Sequence, residues 1–151
     1  MTIAEQIKNI TSSLPATTRL IAVSKTKPIE NIQEAYDAGQ RVFGENKALE
    51  MRDKHEALPT DIEWHFIGHL QTNKIKYIIP YVSLIHSIDS LNLLKEVNKE
   101  ATKKDRRVDC LLQFHIAQEE TKFGLSYAEA VQLLTSAEYK QMENIRIVGV
   151  M

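Results

Sequence analysis

Lys25 closes the apolar run Leu20-Ile21-Ala22-Val23-Ser24. In a strand alternate side chains share a face, so Ile21, Val23 and Lys25 would point the same way. If that face is enclosed, desolvation lowers the lysine pKa and frees the amine to attack a carbonyl and form a Schiff base. Position alone favours a plainer reading, a solvated lysine at a strand end with Lys27 as a similar neighbour. Gly44-Glu45-Asn46 closes a second run, where glycine allows close backbone approach and Asn46 offers both a donor and an acceptor to a ligand. The competing reading is helix capping, with Glu45 at the start of a helix from about residue 46.

The five histidines raise a metal possibility. His65 and His69 stand four apart, His86 and His115 fall in neighbouring runs, and Asp89 could complete a set of the kind barrel hydrolases use. His65, His86 and His115 read as lying within strands rather than at their ends, which favours structural histidines. The spacing H-x-x-x-H has its metal-binding meaning on a helix. Cys110, the single cysteine, sits beside Leu111 and Leu112 and reads as an inert packing thiol, and Trp64 as a packing residue. Lys122-Phe123-Gly124, after the acidic turn Gln118-Glu119-Glu120, reads as a solvated loop or as a segment reaching over a barrel mouth.

The elements that would position these residues follow a rhythm. Short β-branched runs begin at Leu20, Val42, Trp64, Leu84, Leu111 and Ile145, the first four about 21 residues apart. That spacing suits one βα unit each, since a parallel crossover needs a dozen residues or more. Most runs are apolar on both parities, as parallel strands covered by helices are. Between them lie helical stripes: Ile3, Ile7 and Ile10; then Ile29, Ile32, Ala35 and Tyr36, ended by Gly39. Ser90 and Ser126 are placed as N-caps of two later helices. Alternating βα leaves two architectures, a doubly wound open sheet or a (β/α)₈ barrel. No Gly-x-Gly-x-x-Gly follows the first strand, which argues against the dinucleotide-binding open sheet. Both architectures gather ligands at the carboxyl ends of the strands, so Lys25, Asn46, His69 and Asp89 are the residues to watch.

Composition narrows the classes. The chain has 151 residues, a net charge of −1, 43% hydrophobic and 26% charged residues. Residues 1–151 read as a single domain with no linker, and the near-neutral charge gives no electrostatic reason to bind nucleic acid. No stretch approaches the roughly 18–20 apolar residues that span a bilayer, and the N-terminus lacks the pattern of a signal peptide. A lone cysteine fits a reducing compartment, so a cytoplasmic location is expected.

Taken together, Ala22-Val23-Ser24-Lys25-Thr26-Lys27-Pro28, Phe43-Gly44-Glu45-Asn46 and Glu63-Trp64-His65-Phe66-Ile67-Gly68-His69-Leu70-Gln71-Thr72-Asn73-Lys74 resemble the pyridoxal phosphate homeostasis proteins, the YggS/PROSC family. Lys122-Phe123-Gly124 and the closing Gly149-Val150-Met151 fit the same pattern. The resemblance implies an α/β fold, a TIM (β/α)₈ barrel of the alanine racemase N-terminal type, of which about six βα units are present here. It implies pyridoxal 5′-phosphate (PLP) held as a Schiff base on Lys25, with Asn46 contacting the cofactor ring, and so reverses the plainer reading of Lys25. It implies a non-catalytic carrier in PLP homeostasis, with PLP-dependent apoenzymes as partners. A PLP-dependent racemase is the alternative, but it needs a second base facing the lysine across the cofactor. A metal-dependent barrel hydrolase is the more remote one.

Two departures bear on these expectations. Gln113-Phe114-His115 stands where the family more often has Gln-Val-Asn, so His115 is expected to alter the polarity of the cavity. The family's Ser-Met-Gly-Met-Ser and Val-Arg-Ile-Gly segments, which the resemblance implies cradle the phosphate, are expected beyond Met151. Six units cannot close an eight-stranded barrel, so the first and sixth strands are expected to be edges.

Overall fold

In the computed structural model, residues 1–116 and 123–151 are described. Six strands form one all-parallel sheet in the order β1-β2-β3-β4-β5-β6: β1 Ala22–Val23, β2 Val42–Glu45, β3 Glu63–Phe66, β4 Leu84–Ile88, β5 Val108–Leu112 and β6 Ile145–Val150. Every strand lies beside its sequence neighbours. A doubly wound sheet reverses its strand order at a switch point, so the unbroken order selects the barrel type, here with β1 and β6 as its two edges.

The helices are α1 Ile3–Ser13, α2 Ile29–Asp37, α3 Ala48–Ala57, α4 Leu91–Lys103, α5 Tyr127–Thr135 and α6 Ala137–Lys140. Their starts follow local chemistry. Thr2 and Ser126 each close a capping box, with Glu5 and Glu129, and the Ser90 hydroxyl accepts from the Leu93 N–H at 3.0 Å. Gly39, at φ 105°, ends α2 as the stripe predicts. After β3 the crossover is a 3₁₀ helix, Thr72–Tyr77, in place of an α-helix.

The side chains of Phe43 and Glu45 share one parity of β2, and Glu45 bonds to Lys54 on α3, so that parity faces the helices. Register carries this face to Trp64, Phe66, Ile85 and Cys110, all at most 1% exposed. With Met51, Leu94 and Val97 from the helices they form the core. Burial pushes the Cys110 thiol up to about 12, which fits the packing role expected of it. Trp64 packs on Phe43 with ring centroids 6.0 Å apart.

The other, concave parity carries Glu63, His65, His86, Asp109 and Arg146, so these strands are less uniformly apolar than their sequence suggests. The fifth strand lies three residues earlier than its apolar run indicated. Asp109 interrupts the hydrophobic pattern at Val108-Asp109-Cys110, but its register partner is Arg146, which donates two hydrogen bonds to it at 2.9 and 3.0 Å. That pairing satisfies the carboxylate on the concave face and extends the strand backwards. His115 therefore lies after β5, in the connection to α5, and not within a strand.

Replacing Ile85, fully buried at the centre of the sheet, by Ala is expected to cost about 2–5 kcal/mol. Val150→Ala on the exposed edge strand is expected to change stability by no more than about 0.5 kcal/mol. Urea unfolding of the two variants checks the contrast.

Candidate functional site

The parallel sheet brings the carboxyl end of every strand to one edge. Lys25 stands there after β1, exposed, in a turn with Thr26. Asn46 stands after β2, half-buried, Gly68 and His69 after β3, and Asp89 after β4. Asn46 lines a cleft of about 360 Å³ together with Lys47, Glu50, His69, Gln71 and Lys74. Lys25 is not part of that lining. The two sequence-selected residues thus share an edge, and β1 is tied to β2 beside them by the Ser24 N–H donating to the Gly44 carbonyl at 2.9 Å.

Glu45 does not cap a helix. It is the last residue of β2, fully buried, and α3 begins only at Ala48, with Lys47 as an N-cap that makes no side-chain bond. Glu45 instead belongs to a buried ionic cluster that sequence inspection missed. Lys54 Nζ donates to Glu45 Oε2, to Glu50 Oε2 and to the Ser24 carbonyl at 2.8, 2.8 and 2.7 Å. The Ser24 hydroxyl donates to the same Glu45 oxygen. Glu50 Oε2 also accepts the Thr26 N–H at 2.8 Å. Burial raises the Glu45 pKa, and the hydrogen bonds from Lys54 and Ser24 oppose it. For Glu50 burial acts upward too, but the bonds from Lys54 and Thr26 outweigh it and hold the carboxyl below its usual value. Two signals in the sequence point to this cluster: an acid ending an apolar strand, and the Glu50–Lys54 spacing of four on one helix face.

Thr26 has φ 63°, a left-handed conformation that costs a non-glycine residue of order 1–3 kcal/mol. Its N–H is the group that Glu50 holds. The strained residue therefore sits directly after Lys25 and is fixed from α3.

Close approach is required at Gly68. A Cβ there would lie 2.6 Å from Asn46 Cβ and 2.9 Å from Asn46 Cα and O. The end of β3 is pressed against Asn46, and only the missing side chain permits it. Gly44, expected to play this part, faces Ile21 and Ile67 side chains instead.

The histidines do not gather a metal set. No group of three or more His, Cys, Asp or Glu among the described residues could hold a metal ion. His65 Nδ1 and His86 Nε2 share a hydrogen bond of 2.9 Å on the concave face. Burial, reinforced by the neighbouring His86, pushes His65 down to about 4, and burial lowers His86 as well. His69 is at the carboxyl edge, 3.9 Å from Asp89 and stacked on Phe123 at 3.9 Å between centroids. The His115 N–H donates to the Leu125 carbonyl at 3.0 Å, and Gly124, φ 140°, packs on the Phe114-His115 backbone where a Cβ would come within 2.5 Å of the His115 nitrogen. Gln118, Glu119, Glu120 and Lys122 lie outside the described residues.

A sequentially ordered parallel sheet of this kind matches what comparison with known proteins finds. The family model "Alanine racemase, N-terminal domain" matches residues 1–151. PipY of Synechococcus elongatus PCC7942, solved without PLP, has a TM-score of 0.92 and 36% identity, over 99% of this chain and 70% of that one. The pyridoxal phosphate homeostasis protein of Vibrio alginolyticus is 34% identical over 164 residues, 99% of this chain and 70% of the relative. This chain belongs to the pyridoxal phosphate homeostasis family. PipY solved with PLP bound has a TM-score of 0.88 at 35% identity, over the same shares as without it. The pyridoxal phosphate homeostasis protein of Aquifex aeolicus is 43% identical over 135 residues, 88% of this chain and 58% of the relative. The chain thus spans less than two-thirds of the length of that relative. The family's fold is the TIM-barrel type that the strand order indicates, with six of its strands present and the barrel open. No helix among the described residues is long and apolar enough to cross a membrane.

Two outcomes are expected. Gly68→Ala should destabilise the fold by about 1–3 kcal/mol, read by urea unfolding, and shift the Asn46 amide resonances, because Asn46 backbone must move to admit the methyl. For the histidine pair, the folded state binds fewer protons than the unfolded state once pH falls below the ordinary value of 6.5. Stability contributed by keeping His65 neutral is therefore present above 6.5 and lost progressively down to about 4. The loss should reach the order of 3 kcal/mol, and His65→Gln should flatten the profile of unfolding free energy against pH.

Proposed function

We propose that this chain binds pyridoxal 5′-phosphate as a Schiff base on Lys25 and acts in PLP homeostasis as a carrier without catalytic turnover. The observation that carries this reading is the placement of an exposed lysine amine at the carboxyl end of β1, in a chain that matches a PLP-bound relative over 99% of its length. The donor set at this edge fits the aldehyde end of the cofactor. Lys25 supplies the primary amine, and the Asn46 amide supplies a donor and an acceptor for the ring substituents. When bound, the cofactor supplies an electrophilic aldehyde carbon. Lys25 would hold the cofactor through its Nζ, the primary amine that a Schiff base to that aldehyde requires.

A carrier needs reversible attachment, and an imine meets that need because water or another amine can displace the lysine. The partners we infer are PLP-dependent apoenzymes, whose own active-site lysines would accept the cofactor by amine exchange. Neither alternative gains support. A racemase requires a second base facing Lys25 across the ring; of the cleft's own groups, His69 stacks on Phe123 and lies 3.9 Å from Asp89, and Glu50 is bonded to Lys54 and to the Thr26 N–H. The histidines on the concave face bond to one another.

Borohydride reduction in the presence of PLP, followed by peptide mass mapping, tests the reading. The label is expected on the peptide containing Lys25 and should vanish from it in Lys25→Ala. Label spread evenly over surface lysines in the unsubstituted chain would refute it.

A further inference from the structure

The buried ionic cluster has no part in the chemistry just proposed and reaches the cleft only through Glu50, yet it grips the backbone on both sides of Lys25. Lys54 Nζ holds the carbonyl of Ser24, the residue before. Glu50 Oε2 holds the N–H of Thr26, the residue after. The same carboxylate oxygen also accepts from Lys54, so both grips meet at one ammonium. Glu45, at the end of β2, anchors that ammonium from the sheet side. The turn is closed further by the Lys27 N–H donating to the Ser24 carbonyl at 3.0 Å and the Thr26 hydroxyl donating to the Lys25 carbonyl at 2.6 Å.

We propose that Glu50 and Lys54 are positioning residues for Lys25: from α3 they hold the left-handed turn at Thr26 and so set the direction in which the Lys25 side chain leaves the sheet edge. Three observations converge. Lys54 and Glu45 are desolvated and Glu50 is three-quarters buried, so the bonds that anchor Lys54 are stronger and more directional than surface ion pairs. A strained backbone residue persists only where its surroundings over-determine it, and Thr26 is held by a carboxylate that is itself doubly bonded. Lys25 itself is exposed, so its backbone is where the fold can impose orientation. Lys27, two residues on and also exposed, closes the same turn through its N–H but is bonded by neither Glu50 nor Lys54, and serves as an internal reference.

This inference rests on Lys25 being the reactive amine. Its test therefore has one arm that needs no cofactor. The arms compare the unsubstituted chain with Glu50→Ala and Glu50→Gln. Glu50 is chosen because its side chain is a quarter exposed, whereas removing Lys54 would strand the buried Glu45 carboxylate and threaten the fold. The first arm reads amide exchange of Thr26 by NMR, expected to accelerate about tenfold in Glu50→Ala as its bond is lost, and to be largely retained in Glu50→Gln, whose amide oxygen still accepts. The second arm reads the ratio of Lys25 to Lys27 label after PLP and borohydride. That ratio is expected to fall about tenfold in Glu50→Ala, as for a reacting group that loses its orientation, and to be restored in Glu50→Gln.

An unchanged ratio in a folded Glu50→Ala overturns the inference, and so does an equal fall in both variants, since that would assign the effect to charge rather than to the grip on Thr26. A residue with a merely structural role would lower the melting temperature and leave the ratio alone. If the unsubstituted chain shows no preference for Lys25, the functional reading of the previous subsection fails, while accelerated Thr26 exchange in Glu50→Ala still reports whether Glu50 holds the turn.

Discussion

A single buried ammonium joins the first two βα units. Lys54 reaches from α3 to the carbonyl that ends β1 and to the carboxylate that ends β2, and shares Glu50 with the turn beyond β1. An isolated charge so placed would be prohibitively costly, and the cluster exists because each member satisfies another. Its consequence is geometric. β1 has only two residues in regular strand conformation and is an edge strand, so backbone pairing alone holds it weakly. The ionic cluster supplies the attachment that the short ladder lacks, at the end of the strand where Lys25 stands.

The two faces of the sheet obey different rules. The convex face is packed by helices and is apolar apart from Ser24 and Glu45, which belong to the cluster, and Ser87 of β4. The concave face carries charged and imidazole groups, and these are paired across neighbouring strands: His65 with His86, and Asp109 with Arg146. Pairing between adjacent strands lets polar residues occupy the inside of a barrel without orphaning them. It also explains why histidines that look like a metal set in the sequence are spent on each other.

Much of the fold was legible in the chain. Helix starts at Ser90 and Ser126, the stop at Gly39, and five of the six strands within a few residues follow from capping chemistry and hydrophobic rhythm. β5 slipped because Asp109 breaks the apolar pattern, and its partner Arg146 is 37 residues away. The helix expected after β3 is a 3₁₀ segment. At the site, the strand-end positions of Lys25 and Asn46 were readable from the runs they close. Glu45 was read as a helix cap because its bond to Lys54 forms only where α3 packs against the end of β2.

The sequence by itself determined the alternation of strand and helix, the motifs of the family, and a lysine at the end of the first strand. These are local matters, set by side-chain periodicity, by capping groups and by short runs of residue types. The tertiary structure alone decided the strand order, which selects the barrel over the open sheet, and the closeness of Gly68 to Asn46. It alone brought Ser24, Glu45, Glu50 and Lys54 to one point around the Lys25 turn. The physical reason is that burial and ionic pairing depend on which surfaces meet, and residues 24, 45 and 54 meet only when α3 docks across the ends of β1 and β2.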